Sequence, residues 1–145
     1  MPVFSGQFKY TIDVKNRVNI PALFRKELQE ELANESAPQD NLLFQITYGK
    51  EPCLYVYPRA VFNKFAGKLQ EESDSLFGGE DSKVKLFRKL MSKSQPVRCD
   101  SQGRIIIPNE HIDHAGIQDD VLIIGVGNRI ELWNPERFEK SIEDV

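Results

Sequence analysis

The 145-residue chain is poor in the residues that mark specialised classes of protein. It has two cysteines, Cys53 and Cys99, too few for a secreted disulfide framework, which points to a reducing compartment. No apolar run approaches the roughly 20 residues of a membrane span, and the opening MPVFSGQFKY lacks the apolar stretch of a signal peptide. Net positive charge is also missing: 19 Lys and Arg face 22 Asp and Glu, giving −3. A basic footprint, the usual mark of a nucleic-acid binder, is absent from the total. No Ser/His/Asp, Cys/His or paired-carboxylate arrangement recurs along the chain, so a small-molecule enzyme has no constellation to rest on. No cofactor is expected. His111 and His114 stand three apart, but the cysteines lack zinc-type spacing, and a core or surface role is the better expectation for both histidines.

The chain does have a repeat. Asp13-Val14-Lys15-Asn16-Arg17-Val18-Asn19-Ile20-Pro21 aligns with Asp100-Ser101-Gln102-Gly103-Arg104-Ile105-Ile106-Ile107-Pro108 at an offset of 87 residues. Both read D-x-x-x-R, then a β-branched residue, any residue, Ile and Pro. The surroundings also correspond. After each copy comes a helix-like stretch, then an apolar strand (Leu42 to Thr47; Val121 to Val126) and a short strand ending in an aromatic (Cys53 to Tyr57; Arg129 to Trp133). The pattern implies an α+β fold made by tandem duplication of one small hairpin-and-helix unit. Neither unit is large enough to bury much alone, so the halves are expected to share one core. Residues 1–72 form the first half, 73–94 a linker loop and bridging helix, and 95–145 the second half.

Local chemistry refines each copy. Thr11 to Asp13 and Val97 to Asp100 are expected as outgoing strands, with Arg17 to Ile20 and Arg104 to Ile107 as their returns. Asp13 and Asp100 suit an Asx turn. Gly103 supplies a positive φ, and Asn16 holds the same place in the first copy. Pro21 and Pro108 stop the return strands and lead into helices. The first helix carries Leu23, Phe24, Leu28 and Leu32 as its apolar stripe, and the second is short, ending at Gly116. Arg59 to Glu72 reads as an amphipathic helix. Ser73 to Asp81, with Gly78-Gly79, reads as a loop. Ser82 to Ser94 reads as a helix with Leu86, Phe87, Leu90 and Met91 suited to packing or to a partner subunit. Gly127-Asn128 reads as a hairpin turn.

Charge is segregated along the chain. Between Lys9 and Lys26 five cations, Lys9, Lys15, Arg17, Arg25 and Lys26, meet the single acid Asp13. A turn with Lys15 beside Arg17 is narrow enough for a DNA major groove, which admits a two-stranded ribbon. Arg17 and Arg104 could bond guanine edges; Lys15, Lys9 and Lys26 suit phosphates. The second turn, with no lysine, is expected to add less non-specific attraction. A plainer role is open as well: each arginine could pair with its own aspartate and only lock the turn. Lys9, Arg25 and Lys26 could likewise be ordinary solvated charges.

The doubled D-x-x-x-R motif, together with Gly125-Val126-Gly127-Asn128-Arg129-Ile130-Glu131-Leu132-Trp133, resembles the MraZ family of bacterial transcriptional regulators across essentially the whole chain. Where that family commonly has Gly before the first Arg, this chain has Asn16. The resemblance implies an AbrB-like pseudo-twofold core of the swapped-hairpin or double-psi type with flanking helices. It also implies a cytoplasmic, nucleoid-associated homo-oligomeric ring that binds repeated double-stranded DNA sites upstream of its own division and cell-wall operon. Asp13, Lys15, Asn16, Arg17, Lys9, Asp100, Gly103 and Arg104 are the candidate DNA-binding residues. A protein-interaction module of the same fold, antitoxin-like or adaptor-like, is the alternative from a different class.

Overall fold

The computed structural model describes residues 2–34, 42–74 and 81–143. The elements run β1 (Gln7–Thr11), β2 (Arg17–Asn19), α1 (Ala22–Asn34), β3 (Leu43–Tyr48), β4 (Leu54–Pro58), α2 (Arg59–Ser73), α3 (Asp81–Ser92), β5 (Gln95–Arg98), β6 (Arg104–Ile106), α4 (Asn109–Ala115), β7 (Asp120–Val126), β8 (Arg129–Trp133) and α5 (Pro135–Ser141). The Gly78-Gly79 segment lies outside the described residues. The fold is α+β, with an antiparallel six-stranded sheet in the order β1-β7-β8-β4-β3-β5 and a separate ladder of β2 with β6.

That order contains a correction to the hairpin expectation. β1 does not pair with β2, nor β5 with β6. β1 pairs with β7 of the second half, β5 with β3 of the first, and the two return strands pair with each other. The halves therefore exchange strands. The hydrogen bonds repeat the exchange about a pseudo-twofold axis: Ile12 N donates to Asp119 O and Cys99 N to Leu42 O, both at 2.9 Å. Ile20 N donates to Gly103 O at 2.9 Å, and Ile107 N to Asn16 O at 2.8 Å. At the sheet centre Tyr55 and Glu131, equivalent in the two copies, lie opposite each other.

Alternation explains the layering. Phe44, Ile46, Leu54, Val56, Val121, Ile123, Ile130 and Leu132 point from the sheet into one core, closed on its other side by Val18, Ile20, Ile105 and Ile107. These four residues flank both motif arginines, and all are at most 1% exposed. Truncating any one of these isoleucines to Ala would cost about 2–5 kcal/mol. The intervening strand residues face the opposite way. There Leu122 and Trp133 cluster with Cys53 and Phe138 of α5, and Tyr57 clusters with Val61 and Phe62 of α2. Both cysteines are buried free thiols.

The helices mostly follow the sequence pattern. Pro21 and Pro108 stand one residue ahead of α1 and α4, and their carbonyls accept the first helical bonds, from Phe24 and Arg25 and from His111 and Ile112. Gly116 closes α4 at φ 65°, the left-handed cap position. Gly127, at φ 68°, turns β7 into β8 over two residues. Leu23 departs from its expected stripe and is 65% exposed, because Phe24 and Leu28 take the core-facing side of α1. Consecutive helical residues point about 100° apart, and that step turns Leu23 out of the side taken by Phe24 and Leu28.

Candidate nucleic-acid interface

The two motif turns have the same hydrogen bonds. Asp13 Oδ1 accepts from Lys15 N at 3.0 Å and Arg17 N at 2.8 Å, and its Oδ2 accepts from Arg17 Nε at 2.7 Å. Asp100 Oδ1 accepts from Gln102 N and Arg104 N, both at 2.9 Å, and Oδ2 accepts from Arg104 Nε at 3.1 Å. Main-chain bonds close each turn, Asp13 N to Arg17 O at 3.1 Å and Asp100 N to Arg104 O at 2.8 Å. Backbone N–H groups, those of Arg17 and Arg104 first among them, hold both carboxyls below the usual aspartate pKa. Both aspartates are therefore charged throughout the neutral range.

The positive φ that the sequence demanded is present twice, 62° at Asn16 and 83° at Gly103. Asn tolerates the left-handed region better than most residues, so the asparagine in place of glycine keeps the turn. The amide of Asn16 also donates from Nδ2 to Asn109 Oδ1 at 2.7 Å, tying the first turn to α4.

Each arginine is paired with its aspartate through Nε only. Among the described residues neither Nη of Arg17 or Arg104 takes a hydrogen bond to a neighbour. Locking the turn and presenting a guanidinium edge are therefore compatible. In the β2–β6 ladder Arg17 stands opposite Ile106 and Asn19 opposite Arg104. Val18 and Ile105 point into the core, so Arg17, Asn19, Arg104 and Ile106 share the outer face. Two residues of strand rise and one interstrand spacing put the two arginine Cα atoms about 8 Å apart. The ribbon that carries both arginines is thus composite, one strand from each half. Asn19 and Ile106 do not stand out in the sequence, although counting two residues on from each arginine finds them. Ile106 is 59% exposed, unusual for isoleucine in a strand.

The remaining candidates separate. Lys15 is exposed at the first turn. Lys9 is on β1, with its ammonium 3.4 Å from Asp120 on the neighbouring strand, in the six-stranded sheet and not in the ribbon. Gly103 is buried, and the Arg25 guanidinium of α1 packs against it. His111 is 2% exposed, with Nε2 at 2.7 Å from the Lys93 carbonyl, while His114 stacks on Tyr48 at 3.9 Å. Burial pushes both imidazole pKa values down. Among the described residues no group of three or more His, Cys, Asp or Glu could hold a metal ion, and no helix is long and apolar enough to cross a membrane.

Comparison with known proteins agrees with the duplication. The family model described as "MraZ protein, putative antitoxin-like" matches residues 3–76 and 90–145, one match to each half. Among curated relatives, the "Transcriptional regulator MraZ" of Lachnoclostridium phytofermentans is 32% identical over 98% of this chain and 89% of its own length. That of Pediococcus pentosaceus is 34% identical over 99% and 89%, and that of Bacteroides fragilis 36% over 94% and 80%. With both halves matched and relatives aligned along nearly its full length, the chain belongs to the MraZ family.

Proposed function

We propose that this chain is a non-enzymatic, sequence-specific DNA-binding regulator of transcription, of the swapped-hairpin AbrB-like class. Arg17 and Arg104 read base edges, Asp13 and Asp100 hold their guanidinium groups in register, Asn16 and Gly103 shape the turns, and Lys15 contacts phosphate. Lys9, occupied with Asp120, plays a lesser part. The observation that carries this reading is the outer face of the β2–β6 ribbon, on which both arginines stand with Nη groups that bond to no neighbour among the described residues. A spacing of about 8 Å is close to two base-pair steps, about 7 Å, so one chain would read one short element in one major groove. Repeated elements would then need several chains, which a homo-oligomeric ring supplies, and avidity of about 10²–10⁴ would compensate for a net acidic subunit. The sites are proposed to lie upstream of the protein's own division and cell-wall operon, and the protein to act in the cytoplasm on the nucleoid. The halves are taken as 1–72 and 95–145.

Fluorescence anisotropy against the duplex just upstream of the gene, with a scrambled control and a salt series, tests this. Tight binding to the native duplex alone, weakening steeply with salt, is the expected result. Equal, weak binding to both duplexes at every salt concentration would refute it. The interaction-module reading has one observation in its favour, the exposed Leu86 and Met91 on α3. A stable heterocomplex together with no shift of native DNA would put that reading first.

A further inference from the structure

The second turn has Gln102 where the first has Lys15, and so has one cation fewer in its own segment. The fold replaces it from the other half. Arg25, on the first turn of α1, donates from Nε to Ile20 O at 3.0 Å, which anchors its stem beside the strand that bonds to Gly103 O. Its guanidinium then lies over the second turn. A Cβ built on Gly103 would stand only 2.6 Å from Arg25 Cζ, 2.7 Å from Nε and 2.9 Å from Nη1. Arg25 is partly buried, and among the described residues its Nη atoms take no hydrogen bond. The pseudo-equivalent position on α4 is Ile112, and the first turn is tied to α4 by the uncharged Asn16–Asn109 bond instead. Glycine at 103 therefore does two things: it permits φ 83°, and it leaves room for a cation that belongs to the opposite half.

We infer that Arg25 is a phosphate-contacting residue of the second turn, the counterpart of Lys15 at the first. This rests on the DNA-binding reading above. Arg104 and Arg25 then give the second turn the same two cations that Arg17 and Lys15 give the first. A guanidinium anchored at Nε can still offer both Nη atoms to phosphate oxygens.

The experiment uses the full chain and two duplexes, the native upstream sequence and a random one. For wild type, Arg25→Gln and Arg25→Lys, the slope of log Kobs against log salt is measured, with thermal unfolding in parallel. Arg25→Gln should flatten the slope by about 0.9 for each phosphate it no longer neutralises and weaken both duplexes by a similar factor. Arg25→Lys should keep most of the slope. Adding Gln102→Lys to Arg25→Gln should restore it, because the cation returns on the turn itself. Should Arg25→Gln not fold, Gln102→Glu at its exposed position sets an acid beside the same guanidinium and should flatten the slope instead. A folded Arg25→Gln protein that binds with an unchanged slope overturns the inference even if affinity falls, because a purely structural role leaves the number of neutralised phosphates intact. Wild-type protein that binds neither duplex in a salt-dependent manner overturns the DNA reading itself, which is a different result.

Discussion

The two motif turns use the same hydrogen bonds around different side chains. Around Asp13 the positive-φ residue is an asparagine bonded to α4, the middle residue is a lysine, and the outward strand residue is Asn19. Around Asp100 those places are taken by a glycine backed by Arg25, a glutamine, and the exposed Ile106. A duplicated unit that kept its turn geometry and its outward arginine has varied the other side chains around that turn. The aspartate and the buried pair Val18 and Ile105 are what the backbone needs. The remaining positions were free to give each half its own surface, and the DNA element read by such a ribbon should accordingly be asymmetric.

The largest expected effect tests whether the turns are equal partners. Arg17→Ala combined with Arg104→Ala should cost about 2–6 kcal/mol of preference for the native duplex, at ~1–3 kcal/mol for each bidentate arginine–guanine contact. Thermal stability should move little, since each aspartate keeps its two backbone N–H donors and an ion pair at the surface contributes at most ~1 kcal/mol. The single variants, compared by anisotropy, sharpen the point: losses within a few-fold of each other mean both turns read bases. If one single variant reproduces the whole loss, the other turn only positions the ribbon.

A second test separates the turns by what backs them. Gly103→Ala must hold a Cβ at φ 83° and push the Arg25 guanidinium aside, so stability should fall by about 1–3 kcal/mol in urea denaturation. DNA affinity should fall with it, because the displaced guanidinium leaves the turn. An unaltered midpoint would mean that the second turn has slack the geometry does not reveal.

A third contrast lies deeper. Phe24 of α1 and His111 of α4 are pseudo-equivalent, 3% and 2% exposed, so one half buries a phenyl ring where the other buries an imidazole. Phe24 packs against Phe4 and Phe8, both ring centroids at 5.3 Å. His111 meets Tyr48 of β3 edge-on and bonds the Lys93 carbonyl, with Glu110 and His114 of α4 close by, and its Nδ1 is buried without a hydrogen-bond partner among the described residues. Burial lowers its folded pKa below the ordinary value of about 6.5. The folded state therefore binds fewer protons than the unfolded one. Stability should be full above pH about 6.5 and decline as pH falls below it, by at most ~1.4 kcal/mol per pH unit for one proton. His114, shifted the same way, adds to the slope. Melting temperature between pH 7.5 and 5.5 should drop for wild type and drop less for His111→Phe, which copies the first half.

How much of this was legible in the sequence follows from the range of each cause. Positive φ at Asn16 and Gly103, the helix end at Gly116 and the two-residue turn at Gly127 are decided within a few residues, and the motif spacing reveals them. The exchange of β1 and β5 between halves is not local. Thr11 pairs with Asp120 and Leu43 with Arg98, and a strand's own alternation says which face is buried but not which neighbour it takes. Arg25 over Gly103 was hidden for the same reason, as was the merging of two expected hairpins into one ribbon. The candidate site was legible at its arginines and aspartates, which repeat; Asn19 and Ile106 are found only by counting on from them, and the place of Arg25 over Gly103 is not written in the motif at all.

The smallest expected effect asks whether the asparagine at position 16 is a compromise or a gain. Asn16→Gly removes whatever strain an L-residue bears at φ 62°, which favours the variant. It also deletes the 2.7 Å amide bond to Asn109, worth about 0.5–1.5 kcal/mol when fully formed and less at an exposed site. Glycine further loosens the unfolded chain, which costs the variant about 0.4–1 kcal/mol. The three contributions nearly cancel, and a net change within about 0.5 kcal/mol is expected in urea denaturation, on the destabilising side. The double-mutant cycle with Asn109→Ala isolates the amide bond. A coupling near zero would leave Asn16 as a mere stand-in for glycine. A coupling approaching 1 kcal/mol would mean that α4 clamps the first turn through Asn16 as α1 clamps the second through Arg25, each half holding the other's turn.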